Sequence, residues 1–213
     1  SMGLAKLLGG PAAAAEKLNE QIESTAKDKF HLRGRTHGNA WIDYANQDGT
    51  EAAHYFNRIG FPWLSPKWVR AVQDAAFGGT DPYSGYNGDE DQGQMGALNA
   101  LMAIGLFQFD GGSRMDPRYD ITAPAFDKVT IQLSSKYYSG KEFAILIQNQ
   151  HPNNVYIQSA TFNGQTLETC WLSHKNLVQG GQLELILGPE PNKKWGTSEE
   201  KVKKTGASAQ AAH

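Results

Sequence analysis

The hydrophobic pattern of this chain changes period once, near Gly111-Gly112, and that change limits the available folds more than any other feature. Before it, apolar residues recur every three or four positions; after it, they alternate. Leu4, Leu7 and Leu8 open the first series, and Ala13, Ala14, Ala15, Leu18 and Ile22 continue it past a break at Gly9-Gly10-Pro11. The spacing predicts a helix end, a turn and a second helix starting near Pro11. Glu51 to Ile59 predicts another helix with Ala52, Tyr55, Phe56 and Ile59 on one face, ended by Gly60-Phe61-Pro62. Ser65-Pro66 reads as a helix start, with Ser as N-cap and Pro at the first helical position, leading through Trp68, Val69 and Val72 to Phe77. Gly93 to Leu106 makes a fourth segment, with Met95, Leu98, Leu101, Met102 and Ile104 as its apolar set. Ala26–Asp48 and Gly78–Gln92 lack clean periodicity and are expected as loops; loops that long inside a compact unit are usually functional or disordered.

Beyond the glycine pair, Val129, Ile131 and Leu133 alternate with polar residues, as do Phe143, Ile145 and Ile147, then Val155 and Ile157, then Leu183, Leu185 and Leu187. Asn163-Gly164 is a two-residue hairpin signal, because both residues tolerate positive φ. Short strands with turns at this spacing predict an antiparallel sandwich. The fold class is therefore α+β: helices over 3–110, an antiparallel β-sandwich-like domain over 111–196, and a tail over 197–213 rich in Lys, Ala, Ser and Gln that is expected to be disordered.

Composition removes several function classes. Twenty basic residues against 22 acidic ones give a formal charge of -2 in 213 residues, with no electrostatic footprint for nucleic acid or an anionic membrane. No apolar run approaches the roughly 20 residues of a membrane helix. The single Cys170 excludes an internal disulfide framework and any cysteine-built zinc site; beside Trp171 it reads as a small buried hydrophobe.

Chemistry concentrates in the two loops. Gly88-Asp89-Glu90-Asp91-Gln92-Gly93 places three carboxylates together just before a helix, where they repel one another unless a cation, a shared proton or a substrate takes up the charge. Asp89 and Asp91 are two apart and share a direction in an extended stretch, so the pair suits either general-base work on a water or hard-oxygen ligation of Ca²⁺. The competing structural reading is an acidic residue complementing a helix N-terminus. The earlier loop holds His31, His37, Asn39, Trp41, Asp43, Tyr44, Asn46 and Gln47, a mixture of hydrogen-bonding groups and aromatic faces that suits a sugar. A metal site through His31 and His37 lacks helical spacing and a clear third ligand. His54, beside Tyr55 on a helix, is expected to serve packing.

Several stretches in order carry a resemblance. These are Gly3-Leu4 with Leu7-Leu8-Gly9-Gly10, Ala45-Asn46-Gln47 running to Tyr55-Phe56-Asn57, Gly60 and Pro62-Trp63, and Gly88-Asp89-Glu90-Asp91 with Gly93-Gln94-Met95. Asn154-Val155-Tyr156-Ile157-Gln158-Ser159-Ala160 and Gly188-Pro189-Glu190-Pro191-Asn192 follow. Together they resemble the C-terminal portion of the family 92 glycoside hydrolases, calcium-dependent exo-acting α-mannosidases. The resemblance implies that the helices are the last hairpins of an (α/α)₆ barrel. It further implies inverting hydrolysis of terminal α-mannosyl residues in a mannose-containing glycan, with Asp89 and Asp91 as base candidates. His31, Asn46 and Gln47 would contact the sugar, and Asn46 and Gln47 the Ca²⁺. An extracellular or periplasmic location goes with that substrate class.

Two positions depart from the family pattern. Asn46-Gln47-Asp48 stands where many members read Asn-Glu-Pro, and His31-Leu32 where α-1,2-specific members carry His-Glu, so the linkage cleaved is left open. The family's general acid lies in a segment preceding the Gly-Leu…Gly-Gly stretch. The chain alone is therefore expected to be inactive and unstable as a monomer, with the N-terminal part of the same enzyme as its partner. The alternative is a non-catalytic carbohydrate-binding module using Trp171 and Trp195.

Overall fold

A computed structural model describes residues 2–31, 42–45, 47–85 and 87–198. Among these, helices come first and strands second, as the change of period requires. Helices α1 (Met2–Leu7) and α2 (Pro11–Ala26) lie on either side of the Gly9-Gly10 turn, with Pro11 in the first turn of α2. Ala14, Ala15 and Ile22 carry the buried face of α2, and Thr25 closes it by donating its hydroxyl to Ile22 O at 3.1 Å. The segment expected as one helix from Glu51 is broken into a 3-10 turn, Ala52–His54, and a short α3, Tyr55–Arg58.

Helix α4 (Leu64–Ala76) buries Trp68, Val69, Val72 and Ala76. Its start corrects the sequence reading. Ser65 is not the N-cap: it lies inside the helix, and its Oγ accepts from Asn57 N at 3.2 Å, so the hydroxyl ties α3 to α4. Trp68 Nε1 donates to Asn19 Oδ1 at 2.8 Å and ties α4 to α2. Helix α5 (Gln94–Ile104) ends at Gly105, whose φ of 74° is left-handed. Any Cβ there would stand 2.7 Å from Thr122 O and from Pro124 Cγ, so only glycine lets the helix turn directly into the sheet.

Eight strands follow: β1 (Leu106–Phe107), β2 (Arg118–Ile121), β3 (Lys128–Gln132), β4 (Glu142–Gln148), β5 (Tyr156–Phe162), β6 (Gln165–Thr166), β7 (Trp171–Ser173) and β8 (Gly181–Gly188), with a short helix α6 (His174–Val178) between the last two. They form a three-stranded antiparallel sheet, β1-β2-β7, and a five-stranded sheet, β3-β4-β8-β5-β6. Both sheets feed one core, in which Ile121 and Leu172 of the first meet Phe143, Ile145, Leu183 and Leu185 of the second.

The purely antiparallel expectation fails at one pairing. β4 and β8 run parallel, Ile145 opposite Leu183 and Ile147 opposite Leu185. Between them the chain leaves for β5, β6, β7 and α6, the long crossover that parallel neighbours need. The Asn163-Gly164 hairpin is present as expected, with φ of 50° and 76°.

The passage between the two cores falls inside β1. Period-2 alternation sends Leu106 to the sheet core and Phe107 to the helical core, where Phe107 stacks on His54 at 4.0 Å between ring centroids. Asn57 Nδ2 donates to Ile121 O at 3.3 Å, and Arg58 Nε to Asp120 Oδ2 at 3.0 Å, across the same boundary. Asp120 is buried, and burial outweighs Arg58 in pushing its carboxyl up to about 6. Cys170 is buried immediately before β7, as the sequence suggested; burial pushes its thiol up to about 12, far from a nucleophile's range.

Candidate active site at the helical loops

Three loops are drawn together beside the helical core. Tyr44 N donates to Phe30 O at 2.8 Å, and the two rings meet edge to face at 6.0 Å. The Tyr44 hydroxyl accepts from Ala53 N at 2.9 Å, and its complete burial holds the phenol above its ordinary range. Asn87 Nδ2 donates to Lys29 O at 2.5 Å. Gly88 presses on Ala45 so closely that a Cβ would stand 2.0 Å from Ala45 O. Thus the residue before Asp89 touches the residue before Asn46. The loop nominated for sugar and metal contacts and the loop nominated for the base are adjacent.

Within the acidic cluster, the structural reading weighed from sequence belongs to one residue. Glu90 takes the structural role: its Oε2 accepts from Gly93 N and its Oε1 from Gly96 N at 3.2 Å, satisfying two of the free donors at the start of α5. Sequence reasoning missed that assignment, although a carboxylate three residues ahead of the helix-opening glycine was a usable signal. Asp89 is exposed. Asp91 is half-buried, and its Oδ2 is enclosed with no hydrogen-bond partner. A carboxylate oxygen in that position is costly unless something else supplies a donor or a cation.

The backbone carries matching strain. Asp91, Gln92 and Gly93 are all left-handed, with φ of 55°, 61° and 95°. For the two non-glycine residues this costs roughly 1–3 kcal/mol each, and such strain persists where the surroundings enforce it.

The remaining candidates are placed as follows. His31 is half-buried in the loop after α2, its N–H donating to Asp28 O at 3.1 Å and its Nδ1 buried without a partner. Gln47 is exposed at the start of a 3-10 turn, and its carbonyl accepts from the Thr50 hydroxyl at 3.0 Å. Asn46, His37, Asn39 and Trp41 lie outside the described residues. Among the described residues no cluster of three or more His, Cys, Asp or Glu is set to hold a metal ion.

Two cavities of the molecule do not include the acidic pair. An apolar one of about 390 Å³ is lined by Leu4, Leu8, Leu18, Ile42 and Tyr55, among others. A polar one of about 550 Å³ lies where the two cores meet, lined by Arg58, Arg118, Asp120 and Trp171 among others. The tryptophans expected for a binding module are packed, not presented. Trp195 is buried with Nε1 donating to Leu167 O at 2.9 Å, and Trp171 lies beneath the Arg118 guanidinium at 3.6 Å.

With this geometry in place, comparison with known proteins is informative. The model of the glycosyl hydrolase family 92 catalytic domain matches residues 1–189, and the chain belongs to that family. An uncharacterized secreted glycosidase of Arthroderma benhamiae is 31% identical over 182 residues, covering 80% of this chain and 22% of that protein. A family 92 α-mannosidase of Bacteroides thetaiotaomicron superposes with a TM-score of 0.70 at 24% identity, covering 88% of this chain and 24% of its own. A family 92 inverting mannosidase of the same bacterium gives a TM-score of 0.68 at 28% identity, with 92% and 27% coverage. The chain therefore spans about a quarter of the length of the relatives it matches. No helix among the described residues is long and apolar enough to cross a membrane.

Proposed function

We propose that this chain forms part of the catalytic unit of an exo-acting α-mannosidase that removes terminal α-mannosyl residues from glycans with inversion. In such a reaction one carboxylate takes a proton from the attacking water while an acid protonates the leaving oxygen, the two groups being about 6.5–9.5 Å apart. Asp91 and Asp89 are the base candidates. Asp91 has an enclosed oxygen without a partner, which is the observation that carries the reading, and a strained backbone that sets it apart from Glu90. Asp89 is exposed beside it and holds or relays the water. His31, Asn46 and Gln47 orient the sugar from the neighbouring loops. The relatives agree in class: one is an inverting mannosidase, and a family 92 α-mannosidase has been seen with mannoimidazole bound.

Ca²⁺ belongs to the same proposal. The amide oxygens of Asn46 and Gln47 are hard donors of the kind Ca²⁺ takes, but the ion wants six to eight oxygens, so they fit as part of a shell whose remainder comes from elsewhere. When bound, the ion would hold sugar hydroxyls and favour a distorted ring.

The general acid is assigned to a segment outside this chain, so the 213-residue polypeptide alone is inactive. The apolar cavity and the exposed Leu4, Leu7 and Leu8 support its docking against further barrel helices. Secretion of the whole enzyme, to the periplasm or the medium, fits a glycan substrate and the secreted fungal relative. The test is hydrolysis of an α-mannobiose by the full-length enzyme, followed by NMR of the first-formed anomer. β-Mannose is expected. α-Mannose as first product, or turnover by the 213-residue chain alone, overturns the mechanism or the fragment reading respectively.

A further inference from the structure

We propose that the sheet unit carries a surface carbohydrate-binding site centred on Tyr137 and Tyr138, separate from the acidic loop. The two tyrosines sit at the tip of the β3–β4 connection, with 70% and 37% of their surface exposed. The tip is fixed in place. The N–H groups of both tyrosines donate to Ser134 O at 3.0 Å, Leu133 N donates to Lys141 O at 2.9 Å, and Gly140 N donates to Val178 O at 3.2 Å at the end of α6. Tyr138 meets the His174 ring edge-on at 6.0 Å, and Tyr137 meets Tyr138 at 6.4 Å. His174 is itself held by the Tyr119 hydroxyl, 3.2 Å from its Nδ1, at the first position of α6, which Ser173 caps. Lys136 Nζ lies 5.2 Å from the Tyr137 ring.

This is a graded set of rings, half-buried at Tyr119 and open at Tyr137, with hydroxyl and imidazole groups beside them and the Lys136 ammonium over one face of Tyr137. Two exposed rings fall far short of the roughly 800 Å² per partner of a stable protein interface. They suffice to cover one apolar face of a pyranose, while the polar groups around them meet its hydroxyls. Trp195 is buried and the half-buried Trp171 is covered by the Arg118 guanidinium, so these tyrosines are the exposed aromatic pair that contact one another on this unit, among the described residues. The ligand class, a glycan, rests on the reading of the chain as part of a glycan-processing enzyme. On that reading the site holds a polysaccharide near the catalytic unit and does not take part in the chemistry.

Native affinity electrophoresis of the 213-residue chain through gels containing branched α-mannan, a β-glucan or a galactan tests this. Retardation by α-mannan is expected. The pair Tyr137→Ala and Tyr138→Ala should weaken it about tenfold or more, as loss of an aromatic anchor does. Met115→Ala, at an exposed side chain of the same unit outside the site, should leave it unchanged. The Tyr137→Ala single variant, at an exposed loop tip, should keep the parent's melting temperature and still weaken binding. Tyrosine-dependent retardation by β-glucan or galactan but not mannan would uphold the site and count against the mannosidase reading. Three results overturn the site: no retardation by any of the three, retardation indifferent to the tyrosines, or tyrosine-dependent self-association in sedimentation.

Discussion

The helical unit and the sheet unit differ in what they leave unfinished. The sheet unit pairs its strands across two sheets and closes a core in which Phe143, Ile145, Leu183 and Leu185 are fully buried. The apolar side chains it exposes are mostly aromatic. The helical unit exposes mostly aliphatic ones, with Leu4, Leu7 and Leu8 at 53%, 86% and 47% beside the single Tyr83. It also encloses titratable groups with unpartnered atoms, at Asp91 Oδ2, His31 Nδ1 and both ring nitrogens of His54, where the sheet unit encloses a hydroxyl and an amide oxygen, Thr122 Oγ1 and Gln150 Oε1. Exposed aliphatics ask for more protein, and enclosed unpaired polar atoms ask for a ligand or a proton. On the proposed reading, the side of the molecule that docks against further protein is thus also the side that carries the candidate chemistry.

The largest effect expected lies in the acidic loop. In the full-length enzyme, Asp91→Asn should lower kcat on an α-mannoside about 10²–10⁴-fold with little change in melting temperature, the size expected for losing a general base. Glu90→Gln should show the opposite profile: a loss of stability of about 1 kcal/mol from a weakened helix cap, with smaller loss of rate. Steady-state kinetics and thermal melts on the two variants separate these outcomes. If Glu90→Gln abolishes turnover and Asp91→Asn does not, the division of roles within the cluster is wrong.

Next comes the sheet core. Leu185→Ala should cost about 2–5 kcal/mol, because a fully buried side chain is removed between β4 and β5 and the cavity closes only in part. Urea denaturation of the 213-residue chain measures it. Here the sequence was most readable: alternation at Leu183, Leu185 and Leu187 marks β8, and Asn163-Gly164 marks the β5–β6 turn, because both signals are local. The strand partners were not readable. Whether β8 lies parallel or antiparallel to β4 depends on a crossover spanning β5 to α6, which no local pattern records. The strands β1 and β2 escaped notice because they are two and four residues long and β2 buries Asp120. At the site, residue types and spacing made Asp89 and Asp91 visible. The role of Glu90 was hidden because it follows from positive φ at Asp91 and Gln92, a conformation their side chains do not announce.

A smaller effect, with a pH signature, separates the two units directly. His54 is fully buried against Phe107, and burial holds its imidazole down at about 3 against 6.5 when free. Between those values the unfolded chain binds a proton the folded one does not, so His54 makes stability fall as pH drops below about 6.5. Asp120, raised to about 6 from 3.8, has the opposite sign: its protonation favours the folded state on acidification, and that contribution is lost as pH rises through about 6. The helical unit should therefore open first between pH 6 and 4, read as hydrogen exchange in α4 ahead of β8. His54→Phe keeps the stack, removes a buried group with no partner, and should stabilise the chain by roughly 1–3 kcal/mol at pH 5. Destabilisation instead would show that His54 has a partner the rest of the enzyme or a bound water supplies.

The smallest effect belongs to Leu7, and it tests the comparison where the two units differ most. With 86% of its surface exposed at the end of α1, Leu7 contributes little to the fold of this chain. Leu7→Gln should change its stability by less than about 0.5 kcal/mol. A leucine that is neutral for stability but needed for docking has a different signature in the full-length enzyme, where the same substitution should lower the melting temperature and leave the chain alone unaffected. Equal effects in both would mean that α1 faces water in the whole enzyme. The incompleteness of the helical unit would then rest on its unpaired polar atoms alone, and the exposed aliphatics would be ordinary surface.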